Sequence, residues 1–82
     1  MEIRFIKSAR KHRIGKAHAL FVIENNQPIA EVGRDEFERR LYWQGFDDRY
    51  VELEIVGIEI DEVIIIIHVM PTSYRKKGFD EA

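Results

Sequence analysis

Three short stretches of this chain carry the side chains from which an active site could be built. The first is Lys11, His12 and Arg13, an imidazole flanked by two cations just ahead of Gly15. An imidazole is the side chain best suited to move a proton near neutral pH. The second is Arg39 and Arg40 followed by Tyr42 and Trp43. Alternate side chains share a face of a strand, so Arg40 is the arginine that stands beside Tyr42. A cation and an aromatic ring on one face can pair a phosphate and stack a base of RNA, or serve only as a cross-strand cation–π pair. Trp43, on the other face with Arg39 and Leu41, is expected in the core. The third stretch follows the most apolar segment of the chain and runs from His68 through Pro71 to Thr72, Tyr74 and Arg75. His68 is expected on the same side of its strand as Ile64, Ile66 and Met70. Polar groups gathered at the end of a central strand have rigid support for a site.

Other chemistries are excluded or unsupported. The chain has no cysteine, which removes disulfides, a thiolate nucleophile and thiolate metal sites, and makes a cytoplasmic protein the expectation. There is no glycine-rich phosphate loop, no paired-carboxylate signature and no HExxH helix. The three histidines, His12, His18 and His68, lack metal-ligand spacing, so no metal and no other cofactor is expected. The run Val63 to Ile67 is far too short to span a bilayer and no signal-peptide core follows the first basic residues, so no membrane association is expected.

Formal net charge is −2, but its distribution is uneven. Arg4, Lys7, Arg10, Lys11, Arg13 and Lys16 lie near the N-terminus, Arg75, Lys76 and Lys77 near the C-terminus, and the acids concentrate between Glu24 and Glu62. Should the two ends meet, they would make one basic surface on an otherwise acidic molecule.

The elements that must position these residues centre on Tyr50 to Met70. Val51, Leu53 and Ile55 alternate with Glu52 and Glu54, the period-two pattern of a strand with one wet face. A tight turn at Asp61 and Glu62 leads into Val63 to Ile67, apolar on both faces and therefore central in its sheet. Gly57 marks a bulge or a close backbone approach. Met1 to Ile6 is either a first strand or a lead into a helix, and Ser8 can cap a helical turn over Ala9 to His12. Lys16 to Glu24 is expected to be a helix against the sheet face, with Ala17, Leu20, Phe21 and Glu24 on one side and Ala19, Val22 and Ile23 extending its apolar surface; its β-branched residues make a strand the rival. Short strands are expected at Ile29 to Val32 and Glu38 to Gln44. Residues 72–78 leave as a turn or short helix, and 78–82 as a tail. At 82 residues the chain is one small domain, burying only about 60% of its unfolded surface. The pattern predicts an α+β domain, with one or two short N-terminal helices packed on a three- to four-stranded antiparallel sheet.

The Lys11-His12 pair followed by Ile14 and a short helix, the arginine-bearing strand from Arg40 to Gly45, and a terminal hairpin running into Thr72-Ser73-Tyr74-Arg75 together resemble the BrnT-like branch of the RelE-type toxins. These are small ribonuclease toxins of bacterial toxin–antitoxin pairs. The resemblance implies a RelE-like layout, RNA as substrate, metal-independent endonuclease cleavage and a cognate antitoxin protein as partner. By position it matches Lys11 and His12 to the family's Lys-His pair, Arg40 to its strand arginine and Tyr74 with Arg75 to its polar end; joined with the clusters above, this makes His12, Arg40, His68 and Tyr74 the catalytic candidates and Lys11, Arg13, Tyr42, Thr72 and Arg75 the substrate-binding ones. Either His12 or His68 would be the base, with Tyr74 a proton donor or a stacking platform. The alternative is a non-catalytic interaction domain, homodimeric through the hydrophobic C-terminal strand. Clustering of the four catalytic candidates would favour the first; their scatter beside an exposed apolar patch would favour the second.

Overall fold

The computed structural model describes residues 2–10, 12–32 and 38–75. In chain order it has strand β1 (Glu2–Phe5), a 3-10 turn (Lys7–Arg10), helix α1 (Lys16–Asn25), and strands β2 (Ile29–Val32), β3 (Arg39–Phe46), β4 (Glu52–Ile60) and β5 (Val63–Pro71). The strands form one five-stranded sheet in the order β1-β5-β4-β3-β2. From β2 to β5 the pairing is antiparallel, but β1 lies parallel to β5, with Ile3 opposite Ile64 and Phe5 opposite Ile66.

This architecture corrects the expected helices on an antiparallel sheet, and with it the RelE-like layout. The fold is mostly sheet, the sheet is mixed, and α1 is the one α-helix among the fully described elements. The opening residues are a strand because Ile3 and Phe5 turn inward while Glu2 and Arg4 stay exposed. They take the edge of β5 that the β4–β5 hairpin leaves open, an edge that an apolar strand cannot present to water without cost. The helical turn expected over Ala9 to His12 lies instead at Lys7–Arg10 and is too short to form a layer. Since β5 is paired on both sides, dimerisation through its edge is not available. The tail expected over 78–82 lies outside the described residues.

The hairpin at the centre follows its sequence closely. Asp61 and Glu62 adopt φ of 50° and 67°, the two left-handed residues of a tight primed turn whose twist matches that of the flanking strands. Leu53, Ile55, Ile64, Ile66 and Val69 are buried on one face, together with Leu41 and Trp43 of β3 and Ala19 and Val22 of α1. Each buried leucine, isoleucine or valine among them contributes roughly 1.5–3 kcal/mol. The helix covers this face with Ala19 and Val22, from the expected extension of its apolar surface, and not with Ala17, Phe21 and Glu24, which are exposed; Phe21 is 41% exposed. No acidic residue sits in its first turn and no side chain caps its N-terminus, so its stability comes from packing. At the other end the Asn25 and Asn26 side-chain amides donate to the carbonyls of Phe21 and Val22. Asn26 then packs so closely on Gly45 that no side chain fits there.

One irregularity decides which residues reach the opposite face. The β4–β5 register shifts between Val56 and Gly57, which face His68 and Ile66 respectively, so Ile67 is an extra residue. This is the bulge expected at Gly57. It overturns one expectation, since His68 no longer shares a side with Ile64 and Ile66. Those two stay in the core, while His68 joins Val56 and Met70 with the face that α1 does not cover. Gly57 permits this arrangement, because a Cβ there would lie 3.0 Å from Ile64, 3.1 Å from Ile66 and 3.2 Å from Trp43.

Replacing Gly57 by alanine is therefore expected to cost roughly 1–3 kcal/mol through overpacking. Urea unfolding of the purified variant measures it, and an unchanged midpoint would show that the bulge is not held by this contact.

Candidate functional site

The face that α1 does not cover is built in rows across the sheet. One row runs Ile29, Tyr42, Val56 and His68; the next runs Gln44, Glu54 and Met70. Strand β5 ends at Pro71, and residues 72–75 begin a helical turn that returns over β4. Two carboxylates on the outer side of β4 hold it there. The Thr72 hydroxyl donates to Glu52 at 2.8 Å, and the Arg75 guanidinium pairs with Glu54 at 2.8 Å. Glu54 also accepts from His68, with 3.1 Å between Nε2 and Oε1.

His12 enters from the other side, in the turn between the 3-10 segment and α1. Its ring meets Tyr74 edge-on with centroids 5.3 Å apart, and meets His68 edge-on at 6.4 Å. Two imidazoles and a phenol thus converge from residues 12, 68 and 74, with Glu54 beneath and Arg75 at the margin. His68 and Glu54 are mostly covered, at 29% and 13% side-chain exposure, whereas Arg75 is 69% exposed. Because Nε2 of His68 gives its hydrogen to Glu54, Nδ1 is the nitrogen left to accept a proton. A carboxylate that fixes one imidazole beside a second, with a guanidinium at hand, can carry acid–base chemistry on a phosphodiester.

Of the expected site residues, His12, His68 and Tyr74 come together, and Thr72 and Arg75 are joined to them through the β4 carboxylates. Tyr42 shares their face two strands away. Arg40 lies on that face as well, opposite Glu31 and Ile58, about 12 Å from His68 by strand spacing and rise. It is not part of the imidazole cluster. Arg39 is on the other face, paired with Glu59 at 3.3 Å. Trp43 is buried as expected. Arg13 is exposed with φ of 59° and has no ion pair among the described residues; it turns the chain into α1. Lys11 lies outside the described residues.

Sequence reasoning missed Glu54 and Glu52. Their alternation with Leu53 and Ile55 was a correct sign of a wet face, but period two cannot tell a solvated carboxylate from one that fixes an imidazole. A signal was present in the matching spacing: two acids two residues apart on β4, and a hydroxyl and a cation three apart beyond β5.

A second polar cluster lies at the β3–β4 turn, where His18, Asp47 and Asp48 have ligand atoms within 4.8 Å of one another. Asp47 is committed elsewhere. Its Oδ1 accepts from the backbone N–H groups of Arg49 (2.7 Å) and Val51 (3.0 Å), and its Oδ2 from Arg49 Nε (3.0 Å) and Nη2 (2.7 Å). With every lone pair used, this carboxylate closes the turn and does not fit a cation. His18 and Asp48, 2.5 Å apart, tie α1 to the same turn.

No known protein family, no curated protein and no solved structure matches this chain. Among the described residues no helix is long and apolar enough to cross a membrane.

Burial pushes the Asp47 carboxyl up, but the Arg49 side chain and the two backbone donors outweigh it and hold the group below its ordinary value of 3.8. A lowered folded pKa means stability that is complete above the unfolded value and lost as pH falls through the folded one. Asp47→Ala is expected to cost about 2 kcal/mol at pH 7 through the stranded N–H groups. That cost should shrink as the pH is lowered below 3.8. Denaturant titrations of both proteins from pH 7 to pH 3 measure the difference, and a cost independent of pH would rule out the carboxylate as its source.

Proposed function

We propose that this protein is the toxin of a toxin–antitoxin pair and cleaves single-stranded RNA as a metal-independent endonuclease. The observation that supports this is the meeting of His12, His68 and Tyr74 on the sheet face that α1 leaves open, with His68 held by Glu54. The proposal rests on the site and on its likeness to BrnT-like toxins at Lys11-His12 and Tyr74-Arg75, not on a RelE-like layout, which the mixed sheet excludes.

In this reaction His68 takes the proton of the RNA 2′-hydroxyl on Nδ1, and the 2′-oxygen attacks the neighbouring phosphorus. The bond from phosphorus to the 5′-oxygen breaks, and His12 supplies the proton that this oxygen takes as it leaves. The products are a 2′,3′-cyclic phosphate and a 5′-hydroxyl. Arg75 answers the charge that builds on the phosphorane, since its guanidinium has five donors and Glu54 engages only part of them. Tyr74 holds the His12 ring edge-on. Arg40, farther along the face, binds a neighbouring phosphate. The antitoxin covers the same face, which α1 leaves open.

A non-catalytic interaction domain is the second reading, favoured by edge strand β2, where Ile29 and Val32 are 69% and 81% exposed. Incubating the purified chain with single-stranded RNA in the presence of EDTA separates the two. Cyclic-phosphate and 5′-hydroxyl ends are expected, with the rate lowered about 10²–10⁴-fold in His12→Ala and in His68→Ala. Intact RNA after incubation with well-folded parent protein would remove the ribonuclease and leave the interaction domain.

A further inference from the structure

Beside the histidine site the same face holds a pocket of about 270 Å³, lined among others by Gln27, Ile29, Tyr42, Gln44, Glu54 and Arg75. We infer that this pocket is a nucleobase subsite selective for adenine, an inference that takes RNA as ligand from the function proposed above.

Position supports it first. Glu54 and Arg75 belong both to the pocket and to the histidine cluster, so the two are continuous. Tyr42 lies in register with Val56 and His68, two strand spacings or about 10 Å away. That is within the reach of one nucleotide from its base to its phosphate. Size agrees, since the volume falls just under the range of roughly 300–1,000 Å³ that holds drug-sized ligands, enough for one base and its sugar edge.

The lining selects among bases. Tyr42 offers a ring for stacking, against the apolar side chains of Ile29 and Val56, and stacking of this kind accepts any base. Selection has to come from the polar groups. Each oxygen of Glu54 already faces a donor, one His68 and the other Arg75, which weakens the carboxylate as the acceptor that cytosine's amino group would need. Arg75, the residue type that matches guanine, pairs with Glu54 and, in the reaction proposed above, turns its remaining donors to the phosphate. Gln27 and Gln44 remain. A glutamine amide carries a donor and an acceptor side by side, and the base edge that pairs with both is the N6 amino group and N7 of adenine.

The test titrates the parent protein with AMP, GMP, CMP and UMP by isothermal calorimetry. Alongside, the ends left on a mixed-sequence RNA are mapped. AMP is expected to bind tightest and cleavage to concentrate beside adenine. Gln44→Ala and Gln27→Ala should each reduce the preference for adenine by roughly ten- to a hundredfold. Tyr42→Leu, which keeps an apolar side chain on the face, should weaken all four nucleotides by roughly five- to a hundredfold, with its melting temperature confirming that it folds. Equal binding of the four nucleotides, or cleavage without base preference, overturns the adenine subsite and leaves the ribonuclease standing. AMP-selective binding with no cleavage supports the subsite and overturns the ribonuclease.

Discussion

The site depends on a single extra residue in β5. Without the bulge at Ile67, strict alternation would carry His68 to the same face as Ile64 and Ile66, among Leu53, Ile55 and Trp43. There its imidazole would need a buried partner that the core does not offer, at the penalty a polar group incurs when it leaves water unpaired. With the bulge, the strand packs Ile64 and Ile66 into the core, slips by one, and then packs Val69 and Pro71 into the same core while His68 and Met70 face outward. Gly57 leaves room for the slip, because Ile64, Ile66 and Trp43 crowd the space that a Cβ there would fill.

A second constraint follows from the first. Once His68 is outward, Glu54, diagonal to it on β4, becomes its partner, and that carboxylate is also what Arg75 needs. Glu54 thus ties the last strand to the turn that follows it, and Glu52 does the same for Thr72. An exposed ion pair adds only a few tenths to 1 kcal/mol. Holding the turn at two points nevertheless brings Tyr74 against His12, a residue 62 positions earlier in the chain. The N-terminal contribution is fixed independently, by the parallel pairing of β1 and the Ile6 N–H bond to the Ile66 carbonyl at 3.1 Å. Both halves of the cluster are therefore referred to one strand, β5.

Much of this was legible before any coordinates. The hairpin, its turn at Asp61 and Glu62, the short strand at Ile29–Val32, the helix from Lys16, the bulge at Gly57 and the buried Trp43 all follow from local periodicity and turn chemistry, which operate within a few residues. What escaped was non-local. Nothing in Glu2–Phe5 says that its partner lies some sixty residues away and runs parallel. The side of the sheet that His68 occupies could not be read even with the bulge foreseen, because the bulge could have been absorbed at any of several residues and each choice flips those beyond it. Glu54 escaped for a related reason: its role exists only in relation to His68 and Arg75, which it meets through strand pairing.

The same geometry bears on charge. A net charge of −2 argues against binding a polyanion only if the acids stand where the anion would. Asp61 and Glu62 are at the tip of the hairpin, six residues of strand from His68, or about 20 Å. That is more than two Debye lengths at physiological ionic strength, roughly 8 Å each. Asp47 is neutralised within its own turn by Arg49, and Glu59 at the far rim by Arg39. Among the described residues the acids nearest the imidazoles are Glu52 and Glu54, and each is occupied by a neighbour that faces the site. A phosphate arriving there meets two imidazoles and the exposed side of a guanidinium, so the field that matters is set by the local pairing and not by the sum over the chain.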